Sequence, residues 1–231
     1  SDGPPRVERQ FKGPYQKEWD PAWSVPRDSD KGSRLIYSVG PKQVDPSSSL
    51  WQIDIHSGQR SQIHPTGFTP ETSTDYQDVF FADQPTSCQA EGSTGRGIHL
   101  FRLYLGAGPA QEIEYSNLGC ANQFHPSWRL VRSPFGDTGQ LAFATYPPGS
   151  NAQQIFTGMD STGGSAFYFA SYADRRSEWP AWAPSGAQRL AFSARRGSDE
   201  QLGIFIGSEA GTERLTETVR LSGSQPTWQP R

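Results

Sequence analysis

Trp179-Pro180-Ala181-Trp182-Ala183-Pro184-Ser185-Gly186-Ala187-Gln188-Arg189-Leu190-Ala191-Phe192-Ser193 decides the fold. A Trp-Pro-x-Trp phrase runs into a turn rich in Pro, Ser and Gly, and then into a short apolar run. Pro and Gly mark turns, and the run beyond them has the length of a strand. The phrase recurs. Trp19-Asp20-Pro21-Ala22-Trp23 precedes Leu35-Ile36-Tyr37-Ser38, and Phe124-His125-Pro126-Ser127-Trp128 precedes Leu141-Ala142-Phe143-Ala144. Gln225-Pro226-Thr227-Trp228 stands once more toward the C-terminal end. Trp128, Trp182 and Trp228 are spaced by 54 and 46 residues, and Trp128 follows Trp23 by 105. A repeat of about 40 to 50 residues with several short strands in each unit is the signature of a β-propeller.

Composition agrees. The 231 residues include 24 Gly and 19 Pro, with aromatics at 12 % and one Met. Long helices favour Ala, Leu, Glu, Lys and Met, and no extended 3.6-residue apolar stripe occurs. The reading is all-β. A net charge of −3 with interspersed signs argues against nucleic-acid binding, which calls for a basic face. No apolar run approaches 18 residues, so no membrane-spanning helix is expected. Ser1-Asp2-Gly3-Pro4-Pro5 reads as a mature or trimmed end.

The expected architecture is a propeller of four blades, each with four antiparallel strands A to D, closed by pairing of the chain ends. Residues 1–17 form an N-terminal segment able to supply a closing strand, at Val7–Phe11. Residues 18–231 form the propeller, with blades at about 18–68, 69–121, 122–176 and 177–224 and a closing strand at 225–230. In blade one the strands are expected near 20–25, 34–39, 50–55 and 60–64. The alternation of Trp51, Ile53 and Ile55 with Gln52 and Asp54 supports the third of these. Blade two lacks the Pro-x-Trp phrase, and its inner strand is expected at Thr72–Tyr76. In blade four the outer strand is expected at Glu213–Thr216.

The pattern Pro-x-Trp-x-Pro-x-Gly-x-x-x-Leu-Ala-Phe, clearest at Pro180–Phe192, resembles the repeat of TolB-type propellers. Gly211-Thr212-Glu213-Arg214-Leu215-Thr216 is similar to that family's repeat ending. The resemblance spans about residues 18–230, and blade two departs furthest from it. It implies an exported or periplasmic protein serving as an interaction scaffold, a sensor module fused to a membrane protein, or a gating domain beside a hydrolase. The matching Trp and Gly positions carry fold, so the resemblance transfers no catalytic residue. The family's usual ring has six or seven blades, and this chain supplies four.

Candidate chemistry is sparse. Cys88 falls in the B–C loop of blade two and Cys120 in the D–A loop leaving it. Both loops open on one face, so a disulfide is geometrically reasonable and suits an oxidising compartment. The alternative is two unrelated thiols. His56, His64, His99 and His125 show no metal-ligand spacing, and a lone imidazole makes no metal site. His125 stands in an inner strand and is expected near the channel. No Gly-x-Ser-x-Gly elbow occurs; Gly163-Gly164-Ser165 reads as a turn. Asp75, Asp78 and Asp83 suit calcium or, more simply, turn capping. No catalytic residue, cofactor or metal is expected.

The D–A and B–C loops around the channel mouth are more suggestive. They carry Tyr15, Glu18, Trp19, Tyr146, Tyr172, Arg175, Arg176, Glu178, Trp179, Arg195, Arg196 and Asp199. Trp, Tyr and Arg are enriched at binding hot spots. The two Arg-Arg pairs suit a carboxylate or an acidic peptide end. The alternative is interblade packing for the tryptophans and solvation for the arginines. The expected function is therefore a non-catalytic, extracytoplasmic binding module for a protein segment or peptide, in the periplasm or outside the cell. A carbohydrate-binding propeller is the second reading. An accessory or sensor domain of a larger membrane protein or enzyme is the third.

Overall fold

The computed structural model describes residues 17–24, 34–73, 77–85, 97–106, 108–150, 152–170, 177–183, 189–195, 202–208 and 221–222. Among them every regular element is a strand, and no helix is long and apolar enough to cross a membrane.

Four antiparallel sheets follow one another along the chain, each a simple meander. The first contains β1 (Lys17–Ser24), β2 (Arg34–Gly40), β3 (Ser49–Asp54) and β4 (Arg60–His64). The second contains β5 (Phe68–Thr72), β6 (Asp78–Asp83), β7 (His99–Tyr104) and β8 (Gln111–Ile113). The third contains β9 (Gln123–Val131), β10 (Thr138–Thr145), β11 (Gln154–Met159) and β12 (Phe167–Ala170). The fourth contains β13 (Ser177–Trp182), β14 (Arg189–Arg195), β15 (Leu202–Ser208) and β16 (Leu221–Ser222).

One expected strand lies elsewhere, and another falls outside the described residues. The inner strand of the second sheet is Phe68–Thr72, earlier than Thr72–Tyr76. Pro70 fills the phrase there, and Thr72 stands where the other repeats have Trp, which hides the match. The strand paired to the outer side of β15 is Leu221–Ser222; residues 213–216 lie outside the described residues. So do the proposed closing strands at 7–11 and 225–230.

Apolar side chains alternate across each sheet, as the period of two requires, and fill three layers between successive sheets. Ile36 and Leu50 meet Val79, Phe81 and Leu103 between the first two. Phe68, Phe80 and Leu100 meet Leu141, Phe143 and Phe156 between the second and third. Ala142, Ala144 and Ile155 meet Trp182, Leu190, Phe192 and Phe205 between the third and fourth. The first strand of each sheet does the docking: β5 packs on β1 and β2, β9 on β5 and β6, and β13 on β9 and β10. No comparable packing joins the fourth sheet to the first among the described residues.

The outer edge of the second sheet is covered from the third. The turn between β11 and β12 lies along the segment after β8, with Tyr115 and Gly164 in a parallel bridge. The Asn117 amide donates to the Ala166 carbonyl at 2.6 Å and accepts the Ala166 N–H at 2.9 Å. Such a clasp hides an edge that would otherwise template association. Tyr115 donates to the Met159 carbonyl at 2.8 Å, and burial pushes its phenol far above the usual range. A β-carbon on Gly158 would collide with the Tyr115 ring, so glycine is required at that close approach.

Candidate functional site: the bulged inner strands

Each inner strand is broken by the same irregularity. Asp20-Pro21 in β1, Thr69-Pro70 in β5, His125-Pro126 in β9 and Trp179-Pro180 in β13 are skipped in the register with the neighbouring strand. In each case two residues oppose one, which is a β-bulge. Proline has no N–H to give the ladder and clashes with a right-handed helical residue before it. A following proline favours an extended residue before it, yet at three of the four positions that residue stands in the left-handed region. φ is +49° at Thr69, +51° at His125 and +54° at Trp179. These are the only non-glycine residues with positive φ among the described residues. Side chains with a β-carbon hold such a conformation at a cost of about 1–3 kcal/mol, and such strain gathers at binding and catalytic sites.

The bulges of the third and fourth sheets bring their equivalent positions together. The His125 and Trp179 rings stack at 3.5 Å between centroids, 20° apart in plane. His125 is buried and Trp179 half-buried. Thr69 is 3 % exposed, and its Oγ1 has no hydrogen-bond partner. One residue beyond Pro126 and Pro70, a side chain latches its sheet to the next. The Ser127 hydroxyl accepts the Trp182 N–H at 3.0 Å, and the Glu71 carboxyl accepts the Trp128 N–H. Burial pushes the Glu71 carboxyl up to about 8, against the weaker lowering from that hydrogen bond.

The other expected site residues are placed as follows. Glu18 is paired to Arg60 of β4 at 2.9 Å, on the face of the first sheet turned away from the second. That pair occupies the carboxylate within its own blade. Tyr146 is half-buried directly after β10. The backbones of Trp19 and Arg195 lie in β1 and β14, paired to Ser38 and Leu202. Tyr172, Arg175, Arg176, Arg196 and Asp199 lie outside the described residues, as do Tyr15 and Asp75. Cys120 carries no free thiol, and Cys88 lies outside the described residues.

Asp78, Asp83 and His99 are engaged within the second sheet and its flanks. Asp78 takes both Arg102 Nε and Nη2, at 2.8 and 2.7 Å. Asp83 accepts from Thr66 Oγ1 at 2.5 Å and from the Gln84 N–H at 2.7 Å. The buried His99 ring meets Glu112 at 2.5 Å through Nδ1. No three His, Cys, Asp or Glu side chains gather as a metal-ligand set among the described residues. The sequence reading singled out neither Thr69 nor Glu71. The signal that marks them is Pro70, which continues the proline spacing without the accompanying Trp.

No family model and no curated protein matches this chain. Solved structures do. TolB from Acinetobacter baumannii superposes with a TM-score of 0.56 at 15% identity, over 85% of this chain and 42% of that one. The chain thus spans less than half the length of that TolB structure. An endo-arabinanase of the GH43 group from Bacillus licheniformis gives a TM-score of 0.52 at 18% identity, over 90% and 81% of the two chains. An α-L-arabinofuranosidase from Lactobacillus brevis gives 0.51 at 12% identity, over 91% and 74%. At these identities the likeness establishes the fold. The chain is an all-β protein with a TolB-like β-propeller fold.

Proposed function

We propose that this chain is a non-catalytic, extracytoplasmic binding module that holds a protein segment or peptide over its channel mouth. The observation that carries this reading is the inner-strand collar, where a half-buried indole and a buried imidazole are stacked on strained backbone. Aromatic surface held rigidly gives contact area at little entropic cost. The rim residues Trp19, Tyr146, Tyr172, Arg175, Arg176, Arg195, Arg196 and Asp199 complete the site, the arginines supplying polarity. No cofactor or metal enters the reading.

Residues 18–231 act as one propeller of four blades, closed through the chain ends. The faces that would meet are already hidden from solvent. Tyr37 and Ile53 on the first sheet are 5 % and 1 % exposed, and Ala191 and Ser193 on the fourth 5 % and 0 %. Burial pushes the Tyr37 phenol up, with Arg60 opposing. With cysteines introduced by Val7→Cys and Thr227→Cys, a bifunctional thiol reagent is expected to link the two ends, and failure to link them would count against closure. The lack of a free thiol at Cys120, in a chain of two cysteines, supports a Cys88–Cys120 bridge. It would staple the loop of 84–97 and fits the periplasm or exterior. Thiol alkylation of the denatured, unreduced chain is expected to add no label; two labels would refute the bridge.

The test of the main reading is affinity capture from an envelope extract. The native chain is compared with a variant in which Arg175, Arg176, Arg195 and Arg196 are all Ala. One partner, retained by the first and weakened in the second and by added salt, is the expected result. Failure of the native chain to capture any protein, with binding on glycan arrays that survives high salt, would replace this reading with a carbohydrate-binding one. The likeness in fold to an endo-arabinanase and an α-L-arabinofuranosidase makes that the relevant alternative.

A further inference from the structure

We propose that β12, the outer strand of the third sheet, is a docking edge for a second copy of this chain. The two β12 strands pair antiparallel across a two-fold axis. The proposal concerns the outer edge of a blade and stands independently of the binding-module reading above.

The outer strands of the four sheets are not alike. An exposed edge is an open row of N–H and C=O groups, and proteins guard it with charge, proline, a bulge or cover. β4 carries Arg60, ion-paired with Glu18. β8 carries Glu112, and the chain after it is covered by the turn before β12. β16 has only two residues. In contrast, the stretch from Ser161 to Ala173 contains no charged residue, no histidine and no proline. Asn117 occupies both backbone groups of Ala166, so the open row begins at Phe167. The Phe167 and Tyr168 side chains there are 69 % and 52 % exposed. Of the seven large apolar side chains exposed among the described residues, five belong to the third sheet and its turns: Leu130, Phe135, Met159, Phe167 and Tyr168. Met159 stands two residues beyond Thr157, the β11 partner of Phe167. Residues two apart on a strand share a face, so Met159 widens the apolar surface beside the edge.

The chemistry of the edge selects its occupant. An uncharged aromatic edge takes an extended, uncharged, aromatic strand, and β12 is itself such a strand. A two-fold pairing lays a strand against its own copy, which brings each charge on it near its equivalent. That disfavours β4 and β8, where Arg60 and Glu112 would meet like charges, and leaves β12 without the penalty. A two-fold axis at Tyr168 sets Phe167 opposite Phe169 of the partner subunit, an aromatic cross-strand pair of the kind that stabilises sheets. Among the described residues each copy has one such edge, so the assembly closes at two. Four strand residues with two exposed rings bury less than the roughly 1,200 Å² of a stable complex, so the dimer is weak and depends on concentration.

The experiment is sedimentation equilibrium of the full chain at rising concentration. A monomer–dimer equilibrium with Kd of about 0.1 mM is expected, as suits an interface of that size. Phe167→Lys and Tyr168→Lys change exposed side chains, so the fold is retained. Each should raise Kd at least about tenfold, because it sets like charges against each other across the axis. Val44→Lys adds the same charge to an exposed position between β2 and β3, and its Kd should stay within about twofold, since a charge away from the interface is screened. Amide hydrogen exchange of 167–170 should slow as the dimer fills, which contact between side chains alone would not produce. A chain that stays monomeric at about 1 mM, ten times the expected Kd, overturns the proposal. So does a dimer that both β12 lysine variants retain, a dimer with unchanged exchange at 167–170, or growth beyond two copies.

Discussion

Trp182→Ala is expected to destabilise the chain by about 3–5 kcal/mol, the usual loss for truncating a large core aromatic. Trp182 is 7 % exposed and lies in the layer between the third and fourth sheets. Phe169 meets its ring edge-on at 5.7 Å, and the Arg129 guanidinium lies 3.7 Å over its centre. Arg129 is itself held by Gln140 through a 2.7 Å bond from Nε. Truncation therefore leaves a cavity and strips a cation of the aromatic face that covers it. The bond from the Trp182 N–H to Ser127 belongs to the backbone and survives, so the loss reports the side chain. Urea unfolding should show a lower midpoint with an unchanged slope. A midpoint equal to that of the native chain would mean that this ring does not join the two sheets, and the placement of β13 would be wrong.

The same residue explains what the sequence made legible. Trp182 and Trp128 stand one position beyond the Pro-x pair, and each faces the layer shared with the preceding sheet. A large aromatic at a fixed step from a proline is visible without coordinates. So is the apolar strand after it, because Leu190, Ala191 and Phe192 contrast with the turn before them. The second sheet was harder to read. Pro21, Pro70, Pro126, Pro180 and Pro226 are spaced by 49, 56, 54 and 46 residues, so the proline rhythm never fails there. The Trp is missing at Thr72, and a search keyed to Trp places the inner strand too late. For the site, the loops drew attention because Arg and Trp are conspicuous. The inner-strand collar was less visible, because backbone strain at Thr69 is a property of φ and not of composition. His125 drew notice as a residue of an inner strand; its stacking on Trp179 depends on how two sheets dock.

Structure and proposed function meet in the bulge. The proline interrupts each inner ladder, and in β5 and β9 the residue after it bonds the next sheet. One device thus accompanies both the strained pre-proline positions and the latch. Strain at the collar is tolerable because the latch residues and the apolar layers tie each sheet to its neighbour. Glu71 is where the two roles come into conflict, since it is an acid placed where Ser127 serves as a neutral acceptor.

Stability is accordingly expected to depend on pH through Glu71. Its carboxyl titrates near 8 in the folded chain, against 4.5 for an unperturbed one. Burial is the main cause, because a buried carboxylate loses hydration that one N–H does not replace. Across the sheet Glu71 pairs with Phe80, and Phe80 with Arg102, whose guanidinium is already committed to Asp78. Between pH 4.5 and 8 the folded chain therefore holds a proton that the unfolded chain has released. Stability from this group is fully present below pH 4.5 and is lost as pH rises toward 8. The loss is at most about 1.4 kcal/mol per pH unit within that window. Glu71→Gln keeps an oxygen to accept the Trp128 N–H and removes the titration. The difference in unfolding free energy between native chain and variant should move in favour of the variant from pH 5 to pH 8, then level off. Subtracting the variant cancels the carboxylates elsewhere, which titrate in both. A difference that stays constant across this range would mean that Glu71 is ionised throughout, held by the Trp128 N–H despite its burial.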